Sequence, residues 1–103
     1  MKIIKCISEM ITDELDGACE YAEKAIEYKM EYPQLADLLY KLSGEEMTHM
    51  NLLHKQVPAL IEKERKENGE PPATMLAVYD YIHKQHTQKA AKIKALQAVY
   101  QEM

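Results

Sequence analysis

Three long stretches of helical apolar spacing, separated by two proline-containing breaks, dominate the chain. Within each stretch apolar residues recur at alternating intervals of three and four, the pattern of a helix with one buried face. The residue before a proline leaves the α region, so Pro33 and the pair Pro71-Pro72 end the stretches that precede them. Pro58 lies inside the second stretch and predicts a kink there. The sequence therefore predicts an all-α fold with helices over about 2–31, 33–68 and 73–102.

The length of the chain limits the size of its core. With 103 residues it has room for one domain, 1–103, and not for two independent cores. A domain of this size buries only about two-thirds of the surface that its unfolded chain exposes. Three long apolar faces offer more surface than one three-helix unit can hide. We therefore expect a homo-oligomer, a dimer or larger.

Charge and hydropathy exclude several classes of protein. The net charge of −4 and the pI of about 5.5 argue against nucleic acid or an anionic membrane as a partner. No apolar run approaches the length of a membrane-spanning helix. The N-terminus carries acidic residues from Glu9 onward and lacks the apolar core of a signal peptide. Cys6 and Cys19 form no CxxC motif and are interpreted as free thiols, which predicts a cytoplasmic protein.

Charged side chains interrupt the first two apolar faces near their middles. The interruption is Glu14 in the first helix, and Glu46 with His49 in the second. If these two helices are antiparallel about the turn at Tyr32-Pro33, all three side chains fall at roughly the same height. Burying an unpaired carboxylate is costly, so this coincidence needs an explanation. We expect the three side chains to meet in the interior of a bundle.

The pair Glu46-x-x-His49 has the spacing of a metal-binding motif. Residues three apart lie one turn apart on the same face of a helix. A carboxylate and an imidazole in that arrangement suit iron or manganese better than a structural zinc ion. Taken alone, such a short motif more often consists of a solvated glutamate and a hydrogen-bonded histidine. The added glutamate at the same height in the first helix favours the metal interpretation.

These residues also carry a family resemblance. Glu14, Tyr21 seven residues later, and then Glu46-x-x-His49 resemble the first half of the ferritin-like superfamily, which includes bacterioferritin, rubrerythrin and the short encapsulated ferritins. The resemblance covers residues 10–57. It implies two long antiparallel helices that pair with another subunit into a four-helix bundle, with a third helix in addition. It also implies that the Tyr21 hydroxyl orients a ligand carboxylate.

The second half of the chain departs from that family. Its third helix offers Asp80, His83 and His86 instead of a second Glu-x-x-His, and a fourth helix is missing. One chain thus supplies half of a di-iron ligand set, and two chains supply a whole one. The resemblance therefore implies a dinuclear iron centre across a dimer, with manganese or zinc as alternative metals.

Other polar residues compete for a place in the site. Glu20 is a rival to Glu14, although it lies one position off the apolar face and lacks a tyrosine seven residues later. His83 and His86 share a face of the third helix, and could complete a site within the chain or form a second site with Asp80. The alternative is that both histidines lie partly solvated at the edge of the bundle. His54 lies off the apolar face of the second helix, which predicts that it faces solvent.

Two functions follow from these observations. The first is a ferritin-like di-iron protein that oxidises ferrous iron with oxygen or peroxide; as an enzyme it would be ferroxidase-like or a peroxide-reducing oxidoreductase. No rubredoxin-type CxxC pair is present to deliver electrons, so an electron donor or an encapsulating shell would be a separate protein. The second is a structural or interaction bundle of ferritin-like fold without a catalytic metal, of the kind that prophages encode.

Overall fold

The computed structural model describes residues 2–103 and consists of three α-helices. They are α1 over Lys2–Tyr28, α2 over Pro33–Asn68 and α3 over Ala73–Glu102, and these residues contain no strand. The predictions of an all-α fold and of three helices are therefore confirmed. None of the described helices combines the length and the apolar character needed to cross a membrane.

The ends of the helices follow the local chemistry of proline and glycine. α1 stops at Tyr28 rather than at residue 31, because the chain reverses direction before Pro33 in a turn that the Tyr32 N–H closes on the Tyr28 carbonyl at 2.8 Å. α2 continues through Pro58. It ends at Asn68, and the next residue, Gly69, caps it: its φ of 79° suits glycine and its N–H donates to the Arg65 carbonyl at 2.9 Å.

The helices run up, down and up along a body of 55 × 18 × 17 Å. α1 and α2 are antiparallel, since Ala18 meets Ser43 while Glu14 meets His49 further from the turn. α3 runs in the same direction as α1. Later residues of α3 pair with later residues of α1: Lys89 pairs with Asp16, and Lys92 pairs with Glu23.

Small side chains line the contact between α1 and α2. The apolar spacing of α2 favours Leu35, Leu39 and Leu53 for its buried face, whereas the residues that the helix buries fully are Ala36, Ser43, Met47 and Met50. Leu39 and Leu53 pack against the core only in part, and Leu35 is left 45% exposed. Alanine and serine let two helix backbones approach closely, and the Ser43 hydroxyl donates to the Ala18 carbonyl at 2.7 Å. The buried residues of the apolar core are Ile4, Ile11, Leu15, Ala18, Cys19, Ala22, Ala25, Ala36, Met47, Met50, Ile93 and Tyr100.

The α1–α2 pair has two different faces. α3 covers one of them through contacts with Thr12, Asp16 and Glu23 of α1. At 3.6 residues per turn, the opposite side of α1 carries a second stripe of residues. We call this stripe and the neighbouring stripe of α2 the open face. Its residues are Ile3, Met10, Glu14, Gly17 and Tyr21 of α1, with Leu35, Leu42, Glu46 and His49 of α2.

Candidate metal centre

The three predicted ligands meet on the open face. His49 Nδ1 lies 3.3 Å from Glu14 Oε2 and 3.8 Å from Glu46 Oε1. One donor atom from each residue lies within 4.8 Å of the other two. Across residues 2–103, no other group of three or more histidine, cysteine or acidic side chains is this compact.

The packing of α1 against α2 sets the relative height of the three side chains. The Ser43 hydroxyl is fully buried and bonds to the Ala18 carbonyl, which fixes the relative height of the two helices. Glu14 lies one turn before Ala18, and Glu46 lies about one turn after Ser43. Because the helices are antiparallel, both steps lead in the same direction. The buried serine thus brings the two carboxylates level.

The cluster is only partly shielded within one chain. The side chains of Glu14 and Glu46 are each 26% exposed, and that of His49 is 54% exposed. The sequence predicts an interior position, whereas these residues lie at the edge of the α1–α2 contact. In a single chain they therefore remain accessible to solvent.

Two acidic groups in one place perturb each other's ionisation. The pKa of Glu46 is raised, first because its protonated carboxyl can donate a hydrogen bond to Glu14, and then because of burial and the negative charge of Glu14. His49 opposes the shift only in part. A bound divalent cation would relieve the same repulsion and displace the proton.

The spacing of the donor atoms fits a metal ion. Adjacent ligands of an ion with bonds of about 2.0–2.2 Å lie roughly 3–3.5 Å apart. The two measured separations, 3.3 and 3.8 Å, are close to that range. Two carboxylates and one imidazole form a donor set suited to iron and manganese, and zinc also accepts it. Three protein ligands leave further coordination positions open.

Gly17 lies against this cluster, and the sequence pattern does not predict its role. A Cβ atom at this position would lie 3.2 Å from Glu46 Oε2, tighter than ordinary side-chain contacts. The glycine therefore makes room for the Glu46 carboxylate beside α1. Only the register between α1 and α2 reveals this role, because nothing in the local sequence around Gly17 marks it.

Tyr21 and Glu20 lie beside the cluster without joining it. Both line a cavity of about 460 Å³ on the open face, together with Gly17 and Leu35. In residues 2–103, the Tyr21 hydroxyl makes no hydrogen bond to any of the three clustered side chains. Glu20 is exposed and is not among the clustered residues.

The polar residues of α3 lie elsewhere. Asp80 is ion-paired with Lys84 at 3.3 Å, and His86 Nε2 lies 2.8 Å from the Thr12 hydroxyl on the covered face. The His83 ring stacks on the His54 ring with their centroids 5.4 Å apart. The sequence predicts that His54 faces solvent, whereas the structure places it half-buried against the His83 ring. None of these side chains reaches the Glu14 cluster.

Comparison with known proteins gives no further assignment. The chain matches no protein-family model, no curated protein and no solved structure.

Proposed function

We propose that Glu14, Glu46 and His49 bind iron, and that two copies of the chain complete the site between their open faces. The observation that carries this proposal is the close approach of two carboxylates to one imidazole. The His49 Nδ1 atom lies 3.3 Å from a carboxylate oxygen of Glu14 and 3.8 Å from one of Glu46. The pKa of Glu46 is raised first because its protonated carboxyl can donate a hydrogen bond to Glu14, and then because of burial and of the repulsion from the negative charge of Glu14. A cation between them would turn that repulsion into attraction.

The open face supports the participation of a second copy. Met10 is 44% exposed and Leu35 is 45% exposed, and both lie on the same face as the acidic cluster. Apolar side chains around a half-enclosed polar cluster are typical of a surface that another protein covers. A second copy related by a two-fold axis would bring an identical cluster to the same place. The pair would then hold four glutamates and two histidines, the ligand set of a dinuclear carboxylate centre.

The proposed reaction is the oxidation of ferrous iron by oxygen or peroxide, with iron as the substrate. A pair of iron ions bound there would supply the redox chemistry. The chain's own residues would hold the ions through carboxylates that can change their mode of binding. The covering copy would limit the access of water. Tyr21 lies beside the cluster and could orient a carboxylate once the second copy closes the cavity.

The alternative is an interaction bundle that uses the open face without metal. One observation favours it: in residues 2–103 no buried side-chain nitrogen or oxygen lacks a hydrogen-bond partner. The fully buried polar side chains therefore need no ion to satisfy them. The two functions differ in one measurable property, which is saturable binding of iron.

Anaerobic titration of the metal-free protein with Fe²⁺ tests the proposal. We expect saturation at one iron per chain, and at least a hundredfold weaker binding in Glu46→Ala and in His49→Ala. Glu45→Ala is the matched control, because it removes the neighbouring carboxylate of the same helix, which is exposed. Helix content measured by circular dichroism should be the same in all variants. Absence of saturable iron in the unsubstituted protein would overturn the iron proposal.

A further inference from the structure

Three of the four histidines of the chain surround one cleft between α2 and α3. Two adjoining cavities, of about 310 and 300 Å³, are both lined by His54, His83 and His86. The cleft lies on the α3 side of the molecule, away from the Glu14 cluster on the open face. Because α2 and α3 contribute different members of the trio, only the folded chain brings the three imidazoles together.

Hydrogen bonding assigns the tautomer of His86. The Thr12 hydroxyl has one proton, which it donates to the Ser8 carbonyl at 3.0 Å. Its oxygen must then accept the hydrogen bond from His86 Nε2 at 2.8 Å. With the proton on Nε2, the neutral ring carries its lone pair on Nδ1. In residues 2–103 nothing donates a hydrogen bond to that atom.

The His86 ring is partly buried, and its Nε2 is held by the hydrogen bond to Thr12. A neutral imidazole whose other nitrogen is held by a hydrogen bond is the form in which histidine binds metals.

The ring spacing also fits a shared ion. Two imidazoles on one tetrahedral ion, with metal–nitrogen bonds of about 2.0–2.1 Å, have their ring centroids roughly 5 Å apart. The centroids of His54 and His83 are 5.4 Å apart, but the two rings are nearly parallel, at 22°, so one ring must turn before both can direct a nitrogen at the same ion. His86 follows His83 by one turn on the same face of α3. The nitrogens of the trio are less closely grouped than the donor atoms of the Glu14 cluster, and His83, the ring that would have to turn, is exposed.

We propose that His54, His83 and His86 form a second metal site, which binds a divalent ion of the zinc, nickel or copper type. The site has three nitrogen donors and no carboxylate, since the nearby Asp80 is paired with Lys84. Imidazole ligands suit these ions, whereas iron and manganese are better held by carboxylates. The thioethers of Met47 and Met50 line the same cavity and add soft donors nearby. The bound ion ties the first half of α3 to α2.

Zinc titration of the metal-free protein tests this site independently of the iron proposal. The measurements use a Cys6→Ser background, because Cys6 is an exposed thiol that can bind zinc by itself. We expect His86→Ala and His54→Ala each to weaken one zinc-binding step at least tenfold. Glu46→Ala is the matched control and should leave that step unchanged. Loss of the step in Glu46→Ala with retention in His86→Ala would overturn the proposal.

Two further measurements report where the ion binds. Co²⁺ in place of zinc should give the visible absorption of a nitrogen-rich tetrahedral site, and this signal should be lost in His86→Ala. Zinc should also slow amide hydrogen exchange in residues 73–88 at least tenfold. Protection confined to the residues around Glu14 and Glu46, or a Co²⁺ spectrum unchanged in His86→Ala, would contradict the proposal.

Discussion

The two faces of the α1–α2 pair differ in whether their polar groups find partners within the chain. On the covered face, the buried Ser43 hydroxyl donates to Ala18 and accepts a hydrogen bond from Gln97 at 2.9 Å. Towards the turn, the Tyr100 hydroxyl donates to Asp37, and Lys29 donates to the same carboxylate at 3.2 Å. These polar groups are all paired within the chain, so α3 completes this part of the covered face.

The open face lacks this balance. Two glutamates there face each other with only one imidazole between them, and the pKa of Glu46 rises as a consequence. Met10 and Leu35 remain about half exposed beside them. Polar groups on the covered face are thus paired within a single chain, while the open face leaves its charges unbalanced, which is where we propose that a cation and a second copy bind.

The largest effect on stability is expected from a substitution that leaves a cavity in the core beneath the covered face. Ile93 of α3 is fully buried in the main cluster of the core, so Ile93→Ala should lower the free energy of unfolding by about 2–5 kcal/mol. Val99→Ala on the same helix is the control, because Val99 is 50% exposed and should change stability by less than about 0.5 kcal/mol. Urea unfolding followed by circular dichroism measures both. Equal effects would show that α3 does not close a core.

A charge on the open face should act on association instead of folding. Met10→Asp places a carboxylate among the apolar side chains of that face and should weaken dimerisation at least tenfold. Val78→Asp is the control, because Val78 is similarly exposed but lies on α3. Sedimentation velocity over a range of concentrations measures the change. If the Val78→Asp variant dissociated while the Met10→Asp variant remained a dimer, the interface would lie on α3.

The pH dependence of stability should reveal the repulsion on the open face. The folded protein keeps the Glu46 proton at pH values where the unfolded chain, with a pKa near 4.5, has lost it. Stability in the absence of metal should therefore fall as the pH rises from about that value through the raised pKa. Glu46→Gln should remove this fall and raise the Tm at neutral pH. A Tm difference between the two proteins that does not vary with pH would contradict the assignment.

The smallest effect is expected from a methyl group beside the Glu46 carboxylate. Gly17→Ala should force that carboxylate to move by a few tenths of an ångström and weaken iron binding several-fold. Gly44→Ala is the matched control, because a Cβ there meets nothing within 4 Å. That variant should gain roughly 0.5–1 kcal/mol of stability and keep its affinity for iron. Equal affinity in both variants would remove Gly17 from the site.

The sequence predicts some of these features better than others. Proline acts locally, so Pro33 and the pair Pro71-Pro72 mark breaks between helices that the structure reproduces. The choice of the buried face depends on a neighbouring helix. Hydrophobicity favours Leu35, yet the close contact between α1 and α2 selects the smaller Ala36.

The candidate sites also divide into contacts that the sequence predicts and contacts that it does not. The meeting of Glu14 with His49 is predictable, because a short turn joins their helices and sets the register. The stacking of His54 on His83 is not, because its register arises from the packing of α3 and has no local signal. Contacts between elements joined by a short turn can be counted along the chain, whereas contacts that depend on tertiary packing need the folded structure.

The most direct test of the shared iron centre uses hybrid dimers. An affinity-tagged Glu14→Ala chain is mixed with untagged, unsubstituted chain, and the hybrid is isolated through the tag and titrated with Fe²⁺. If each ion takes ligands from both copies, the hybrid should lose high-affinity binding at both positions and bind well below one iron per dimer. A hybrid that keeps one iron per dimer at the affinity of the unsubstituted protein would show that each chain binds its metal alone.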